Sequence, residues 1–207
     1  MAVRWDVESV AAELLACEDE RRDREPFTDE WPELDLDTGD AVQDRTLQLR
    51  LDRGERPIGI TLGRRAEPSS SGWGCTSRSS PGSPTRWSSR WATRCRGPGS
   101  STRRIEPEIV FVMGDRLEGP GVTAATAMAA VESVWGGAEV IDSRYRDFRF
   151  TTGDVAADNA SSGAFVTGPG LVVFSGGMTD AVFAPPGDSV GLHFTTLGSV
   201  FLRGGEA

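Results

Sequence analysis

The stretch from Arg104 to Met113, Arg-Ile-Glu-Pro-Glu-Ile-Val-Phe-Val-Met, sets two carboxylates in a run otherwise typical of a buried β-strand. Because side chains alternate across a strand, Glu106 and Glu108 lie on one face. Apolar side chains line the other face: Ile105, Ile109, Phe111 and Met113. The sequence therefore predicts a strand on which two acids converge on one spot.

Two ionised acids held this close raise each other's pKa unless a cation lies between them. Ligation by oxygen alone suits a hard cation such as Mg²⁺ or Mn²⁺. The alternative is an edge strand with a solvated acidic face. The stretch by itself leaves both interpretations open.

Length and composition indicate one globular domain, since 207 residues with 38% hydrophobic and 26% charged side chains can bury a substantial core. Acids among the first apolar residues argue against a signal peptide, and no run approaches transmembrane length, so we expect a cytoplasmic protein. The cysteines, Cys17, Cys75 and Cys95, have no C-x-x-C spacing and are expected to be free thiols.

The charged residues exclude several kinds of partner and reaction. A net charge of −9 argues against nucleic acid or a membrane surface as a partner. All 22 basic residues are Arg. With no Lys, Schiff-base chemistry and a lysine general acid are excluded.

The N-terminal part predicts two helices and a strand. Asp6 is a plausible cap for an amphipathic helix to about Cys17. A charged loop, residues 18–32, follows, and a second helix should start after Asp37 or Thr38 and stop at Gly54. Ile58 to Leu62 then predicts a short strand.

Residues 64–103 differ from the rest, because they carry eight Arg and one acid and lack Val, Ile, Leu, Met, Phe and Tyr. Such a segment cannot build a core. An RNA-binding tail of Arg, Ser and Trp is one interpretation, and a linker or disordered insertion is the plainer one.

The second half predicts a helix from Ala124 to Val134, capped by Thr123 and ended by Gly136-Gly137. A strand from Ala138 to Asp142 should follow, and it adds Glu139 as a third candidate ligand. Residues 154–162 predict a polar loop in which four side chains either hydrogen-bond a ligand or form Asx and Ser turns: Asp158, Asn159, Ser161 and Ser162. The remainder predicts three strands between Gly and Pro turns: Leu171 to Phe174, Ser189 to Phe194 and Val200 to Arg203.

One motif suggests a different enzyme. Gly187-Asp188-Ser189-Val190-Gly191 matches the nucleophile elbow of serine hydrolases, with His193 nearby. That elbow needs a strand before the Ser and a helix after it, whereas strand residues follow here. We therefore expect His193 to be a core or turn residue.

Four stretches carry a family likeness: Arg104 to Met113, Gly119-Pro120-Gly121-Val122-Thr123, Glu139 to Phe150, and Ala157-Asp158-Asn159-Ala160-Ser161-Ser162. They resemble the 2-keto-4-pentenoate hydratase and 4-oxalocrotonate decarboxylase family, of the wider fumarylacetoacetase-like fold. The Asp-Ser-Arg-Tyr run at 142–145 looks more like the decarboxylase branch.

The resemblance implies that Glu106, Glu108 and Glu139 hold one Mg²⁺ or Mn²⁺. A 2-oxo acid would chelate such an ion through its carboxylate and keto oxygens, and the ion would stabilise the negative charge that develops as CO₂ leaves. Around it, the resemblance implies two groups of residues. The catalytic pair would be Asp142 and Arg144, and the substrate-binding pair Asn159 and Ser161.

The chain departs from the family in three places, one of which is a longer, helix-bearing stretch of the family that Gly168-Pro169-Gly170 replaces here. A family Lys, in Gly-x-Lys-x-Gly-Leu-Thr-Ser, aligns with Thr61, so an active-site cation is missing. Residues 64–103 replace a helix and loop that line the family's pocket. If the codons of this stretch are GC-rich, reading them two bases out of register can give a family-like amino-acid sequence. Trp has a single codon, so the residues read across the junctions at Trp73, Trp87 and Trp91 become Gly, Val and Gly. We hypothesise out-of-frame translation between Gly63 and Arg104, which the nucleotide sequence of codons 60 to 106 would test.

We predict an α+β fold in one domain, with an N-terminal helical part (1–56) beside a mixed, curled β-sheet (57–207) in which 64–103 is irregular and poorly structured. The expected function is metal-dependent decarboxylation of 2-oxo-3-hexenedioate in meta-cleavage catabolism of aromatic compounds, with turnover impaired by these departures. The alternatives are a 2-hydroxypenta-2,4-dienoate hydratase and a non-catalytic remnant of the family. Expected partners are a small 2-oxo acid and further copies of the chain, or a hydratase or decarboxylase partner.

Overall fold

The computed structural model describes residues 4–62, 73–77, 103–167, 171–185 and 187–203. The helices are α1 (Val7–Glu20), α2 (Leu36–Asp52), α3 (Ala124–Ala129) and α4 (Thr152–Ala157). The strands are β1 (Arg56–Thr61), β2 (Trp73–Ser77), β3 (Arg104–Met113), β4 (Val131–Ile141), β5 (Ser162–Val166), β6 (Leu171–Phe174), β7 (Val182–Phe183), β8 (Ser189–Phe194) and β9 (Gly198–Arg203). Short 3-10 helices cover Phe27–Asp29, Arg146–Phe148 and Asn159–Ser161.

Strand β3 lies inside a mixed sheet whose order is β2-β1-β6-β3-β4-β5, with β7 also paired to β3. Strands β1 and β6 are parallel, and the other pairs are antiparallel. The sheet curls until β2 and β5, at opposite ends of the order, come within 8 Å between Cα atoms. The predicted α+β fold with a mixed, curled sheet is confirmed.

The N-terminal helices form a core of their own. Helix α1 starts at the predicted cap, since the Asp6 side chain accepts a hydrogen bond from the Ser9 amide at 2.8 Å. Helix α2 starts earlier than predicted, at Leu36, because the Asp35 side chain caps it at the Thr38 amide. Apolar side chains from both helices and the loops beside them fill the space between: Val10, Ala11, Leu14, Phe27, Leu34, Val42, Tyr145 and Ala157.

Residues 154–162, predicted to be a polar loop, instead form the end of α4, a 3-10 helix and the start of β5. Asp154 is fully buried and accepts hydrogen bonds from the Thr28 hydroxyl (2.5 Å) and amide (3.2 Å). It also accepts from the Thr151 amide and hydroxyl, both at 3.0 Å. The prediction was wrong because the polar residues are bonded within the fold, which a polar composition does not reveal.

The helix predicted from Ala124 to Val134 was also wrong, since α3 ends at Ala129 and β4 runs from Val131 to Ile141. Ten residues of β4 pair with β3, and this ladder outweighs local helix propensity. Gly136 and Gly137, expected to end a helix, lie inside β4. A Cβ at Gly137 would be 2.4 Å from Val110 Cγ2, so the glycine permits close packing of the two strands.

The segment predicted to be irregular contains one strand, because residues 73–77 pair antiparallel with β1 as β2. A sheet edge offers unpaired amides and carbonyls to any extended chain, whatever its side chains. The rest of the segment, apart from Arg103, lies outside the described residues. The expectation of a poorly structured insert concerns those residues.

The hairpin of β8 and β9 covers the face of β3 that carries Ile105. Ser189 begins β8 and is followed by strand, so the serine-hydrolase elbow is absent there. His193, expected in a core or turn, is an exposed strand residue whose Nδ1 lies 2.9 Å from the Ser199 Oγ. Among the described residues, no helix has the length and apolar character needed to cross a bilayer.

Candidate metal centre

Glu106, Glu108 and Glu139 meet on the inner face of the curled sheet. In the antiparallel register Glu106 lies opposite Glu139, and Glu108 lies opposite Gly137. Directly opposed side chains share a face, so both glutamates of β3 point the same way as the glutamate of β4. One carboxylate oxygen from each residue lies within 4.8 Å of the others.

Burial sets the protonation of this cluster. Glu108 is 0% exposed and Glu139 is 6% exposed. Burial, and then the neighbouring Glu139, raises the pKa of Glu108 to about 8. Burial also raises the pKa of Glu139. Without a cation the site therefore holds at least one proton near neutral pH.

A backbone segment after β6 forms one wall of the site. The Gly176 amide donates a hydrogen bond to Glu108 Oε2 at 2.8 Å, and the Met178 amide bonds the Pro107 carbonyl at 3.0 Å. Gly176 has a φ of 87°, and a Cβ at Gly177 would lie 2.5 Å from Glu106 Oε2. Sequence analysis missed this wall, although Ser175-Gly176-Gly177 directly after a strand is a signal for close backbone approach.

The donor set fits a hard divalent cation. Glu108 Oε1 is buried and makes no hydrogen bond to any residue that the structure describes. A buried oxygen of that kind needs a partner, and two further carboxylates lie beside it. Three oxygen donors leave coordination positions for water or a chelating ligand, as Mg²⁺ and Ca²⁺ sites commonly do.

The floor of the site is apolar. Val110 pairs with Phe174, and Phe165 lies opposite Glu139. The two phenylalanine rings pack edge to face with centroids 5.6 Å apart. Thr61 is a buried residue beside Phe174 in the parallel register of β1 and β6, so the position aligned with the family Lys lies on this floor.

Asp142, Arg144 and Ser161 are brought together around the buried Asp158. Arg144 Nε and the Ser161 hydroxyl both donate to the Asp158 carboxylate. Arg144 also donates to the Asp142 carbonyl (3.3 Å), and the Asp142 amide donates to the Ser161 carbonyl (2.8 Å). These bonds fix the end of β4, the strand that carries Glu139, and the start of β5, the strand that pairs with it.

Asn159 is hydrogen-bonded to a side chain of helix α2. The Gln43 side chain on α2 donates to Asn159 Oδ1 at 2.5 Å. Asn159, Ala160 and Ser161 all have φ values between 52° and 62°, a left-handed run that non-glycine residues rarely adopt. The structure thus gathers the three glutamates at one place and ties Asn159 to Gln43 on α2.

The fold is that of the fumarylacetoacetase-like class. It superposes on 4-oxalocrotonate decarboxylase from Pseudomonas putida G7, complexed with magnesium and adipate, with a TM-score of 0.72 over 95% of this chain and 96% of that one. The complex of that enzyme with calcium and acetate gives a TM-score of 0.70 over the same shares of the chains. Sequence identity in both comparisons is 21%, so this likeness establishes the fold.

Sequence relatives identify the family. A 4-oxalocrotonate decarboxylase of Pseudomonas sp is 60% identical over 65 residues, 31% of this chain and 25% of the relative. A 2-hydroxyhexa-2,4-dienoate hydratase of Comamonas testosteroni is 33% identical over 150 residues, 69% of this chain and 55% of the relative. A 2-keto-4-pentenoate hydratase of Paraburkholderia phymatum is 29% identical over 169 residues. The chain is homologous to the 4-oxalocrotonate decarboxylase and 2-keto-4-pentenoate hydratase family, which confirms the predicted resemblance.

The chain matches only part of these relatives, from 25% to 62% of their length. No family model matches the chain.

Proposed function

We propose that the protein is a metal-dependent lyase that decarboxylates 2-oxo-3-hexenedioate. The observation that carries the proposal is the cluster of Glu106, Glu108 and Glu139, in which one buried Glu108 oxygen receives no hydrogen bond from the described residues. A bound Mg²⁺ or Mn²⁺ would supply Lewis-acid chemistry, taking the carboxylate and keto oxygens of a 2-oxo acid and stabilising negative charge on the keto oxygen. The divalent ions in the structural neighbours support this choice.

The protein's own residues divide the remaining tasks. The three glutamates hold the cation, and the Gly176 amide orients Glu108. Val110, Phe165 and Phe174 exclude water from the metal-facing side of the substrate. Asp142 and Arg144 act in the shell around the metal by fixing the strands beside Glu139, and Asn159 and Ser161 contribute to substrate binding.

The rival activity is hydration of 2-hydroxypenta-2,4-dienoate. The decarboxylase is favoured by the 60% identity over 65 residues, against 49% over 65 residues for a 2-hydroxypent-2,4-dienoate hydratase of Pseudomonas putida. The longer match to the Comamonas testosteroni hydratase keeps the rival open. A non-catalytic remnant is the alternative of another class, because Thr61 stands where the family has Lys.

Turnover assays on both compounds test the proposal. With Mg²⁺ we expect CO₂ release from 2-oxo-3-hexenedioate, its loss after dialysis against EDTA, and its recovery with added Mg²⁺. Glu108→Gln should abolish turnover and Mg²⁺ binding measured by calorimetry. Glu132→Gln, an exposed glutamate on the same strand as Glu139, should leave both unchanged.

The other possible outcomes of these assays would assign a different function or refute the metal-dependent mechanism. Consumption of the dienoate alone would make the protein a hydratase. Mg²⁺ binding without turnover of either compound would make it a metal-binding remnant, and turnover that survives EDTA would refute the metal-dependent mechanism. Assembly with further copies or with a hydratase partner stays a prediction, which light scattering at several concentrations would check.

A further inference from the structure

Arg104 lies beside the proposed metal site, and no carboxylate among the described residues pairs with it. It sits two residues before Glu106 on β3, and alternation along the strand places both side chains on the same face. Its side chain is exposed, and it forms no ion pair with any residue in the described part of the chain. A guanidinium with accessible donors is therefore available at the rim of the site.

An aromatic ring holds this guanidinium in place. Arg104 Cζ lies 4.5 Å from the centroid of the Phe148 ring, a cation–π contact. Phe148 and the preceding Asp147 both have a φ of 56°, a left-handed conformation that is unusual for a bulky residue. The chain thus adopts a disfavoured backbone that presents Phe148 to Arg104.

The neighbouring arginines are engaged differently. Arg146 pairs with Glu25 at 2.6 Å, and Arg149 pairs with Glu25 and Asp29 at 2.5 and 2.6 Å. Their donors therefore already face carboxylates of the N-terminal part. Of these three arginines, Arg104 is the one whose described contacts leave its hydrogen-bond donors for a ligand.

The spacing suits a dicarboxylate. Two residues along a strand cover about 6–7 Å. In a six-carbon 2-oxo diacid, three carbons separate the keto carbon from the second carboxylate, which is a similar span. A substrate chelated at the three glutamates could therefore place its far end near Arg104.

We propose that Arg104, positioned by Phe148, binds the second carboxylate of a dicarboxylic 2-oxo acid and so determines substrate class. This inference rests on the proposed function, because it needs the first carboxylate at the metal. Arg104 is well suited to the task, since a guanidinium binds a carboxylate through two parallel hydrogen bonds.

Binding of two unreactive analogues to the Mg²⁺-loaded protein tests the proposal by calorimetry. The analogues are 2-oxoadipate, which has the second carboxylate, and 2-oxohexanoate, which lacks it. Arg104→Gln should weaken 2-oxoadipate by about 10- to 100-fold, as expected for a lost charge-assisted hydrogen bond, and leave 2-oxohexanoate within about 2-fold. Phe148→Leu should weaken 2-oxoadipate by a smaller factor, because it only releases Arg104.

The matched control is Arg116→Gln, which removes an exposed arginine paired with Glu118 and should change neither affinity. Circular dichroism melts of all variants report whether the fold is intact. Equal wild-type affinity for the two analogues, or equal weakening of both by Arg104→Gln, would overturn the role of Arg104 while leaving the metal site standing. Failure of both analogues to bind the Mg²⁺-loaded wild type would overturn the proposed function, and the Arg104 proposal with it.

Discussion

Glu106 on β3 faces Glu139 on β4 directly across the ladder, with the buried Glu108 diagonal to the pair. The pKa of Glu108 is raised to about 8 and that of Glu139 is also raised, in each case mainly by burial. Between the ordinary glutamate pKa of 4.5 and the raised values, the folded protein binds more protons than the unfolded chain. The metal-free fold should therefore lose stability as pH rises from about 5 to 8 through these groups.

Urea unfolding in EDTA at several pH values measures this loss. Glu108→Gln should remove part of the pH dependence, so the difference in unfolding free energy between variant and wild type should grow towards pH 8. Mg²⁺ needs the ionised carboxylates, so its affinity should rise over the same range with proton release, which calorimetry in two buffers would detect. A difference that stays constant from pH 5 to 8 would contradict the assignment.

Arg144 and Asp158 form a buried ion pair, so Arg144→Met should destabilise the fold by about 3–5 kcal/mol, because it leaves the Asp158 charge buried and unpaired. Urea unfolding measures the effect. The control is Arg146→Met, whose exposed pairs with Asp23 and Glu25 should be worth no more than about 1 kcal/mol. An Arg144→Met variant with native stability but no turnover would instead point to direct contact with substrate.

Tyr145 belongs to the N-terminal core, and its buried hydroxyl makes no hydrogen bond within the described residues. Burial raises the pKa of this phenol, so it is a neutral group there. Tyr145→Phe should leave the unfolding free energy unchanged or raise it by up to about 1 kcal/mol, since it removes an unsatisfied polar atom. Tyr145→Ala should cost about 3–5 kcal/mol by opening a cavity. A loss above 1 kcal/mol in Tyr145→Phe would indicate an ordered water on the hydroxyl.

The parts of the fold that follow local rules could be predicted from the sequence. The 3.6-residue period and the Asp6 cap located α1, and strand alternation placed Glu106 and Glu108 on one face. Glu139 reaches the same spot only because β3 pairs with β4. The family resemblance implied that the three glutamates meet, whereas the hydrophobic periodicity does not predict which strands pair.

Errors arose where distant contacts decide the local structure. The alanine-rich run after Thr123 favours a helix, yet the ladder with β3 converts its second half into strand. No pattern in the sequence predicts that Arg144 pairs with Asp158, fourteen residues later. The left-handed backbone of Phe148 and its contact with Arg104 could not be predicted from the sequence either, because both depend on the fold.

The hydrogen bonds between Thr28 and Asp154 join positions 126 residues apart. A ribosome adds about 5–20 residues per second, so Thr28 is synthesised roughly 6–25 s before Asp154. During synthesis the core between α1 and α2 therefore lacks Tyr145 and Ala157, and its completion depends on the arrival of α4. Any change that delays or removes the Asp154 region should therefore expose the nascent N-terminal helices to chaperones and proteases.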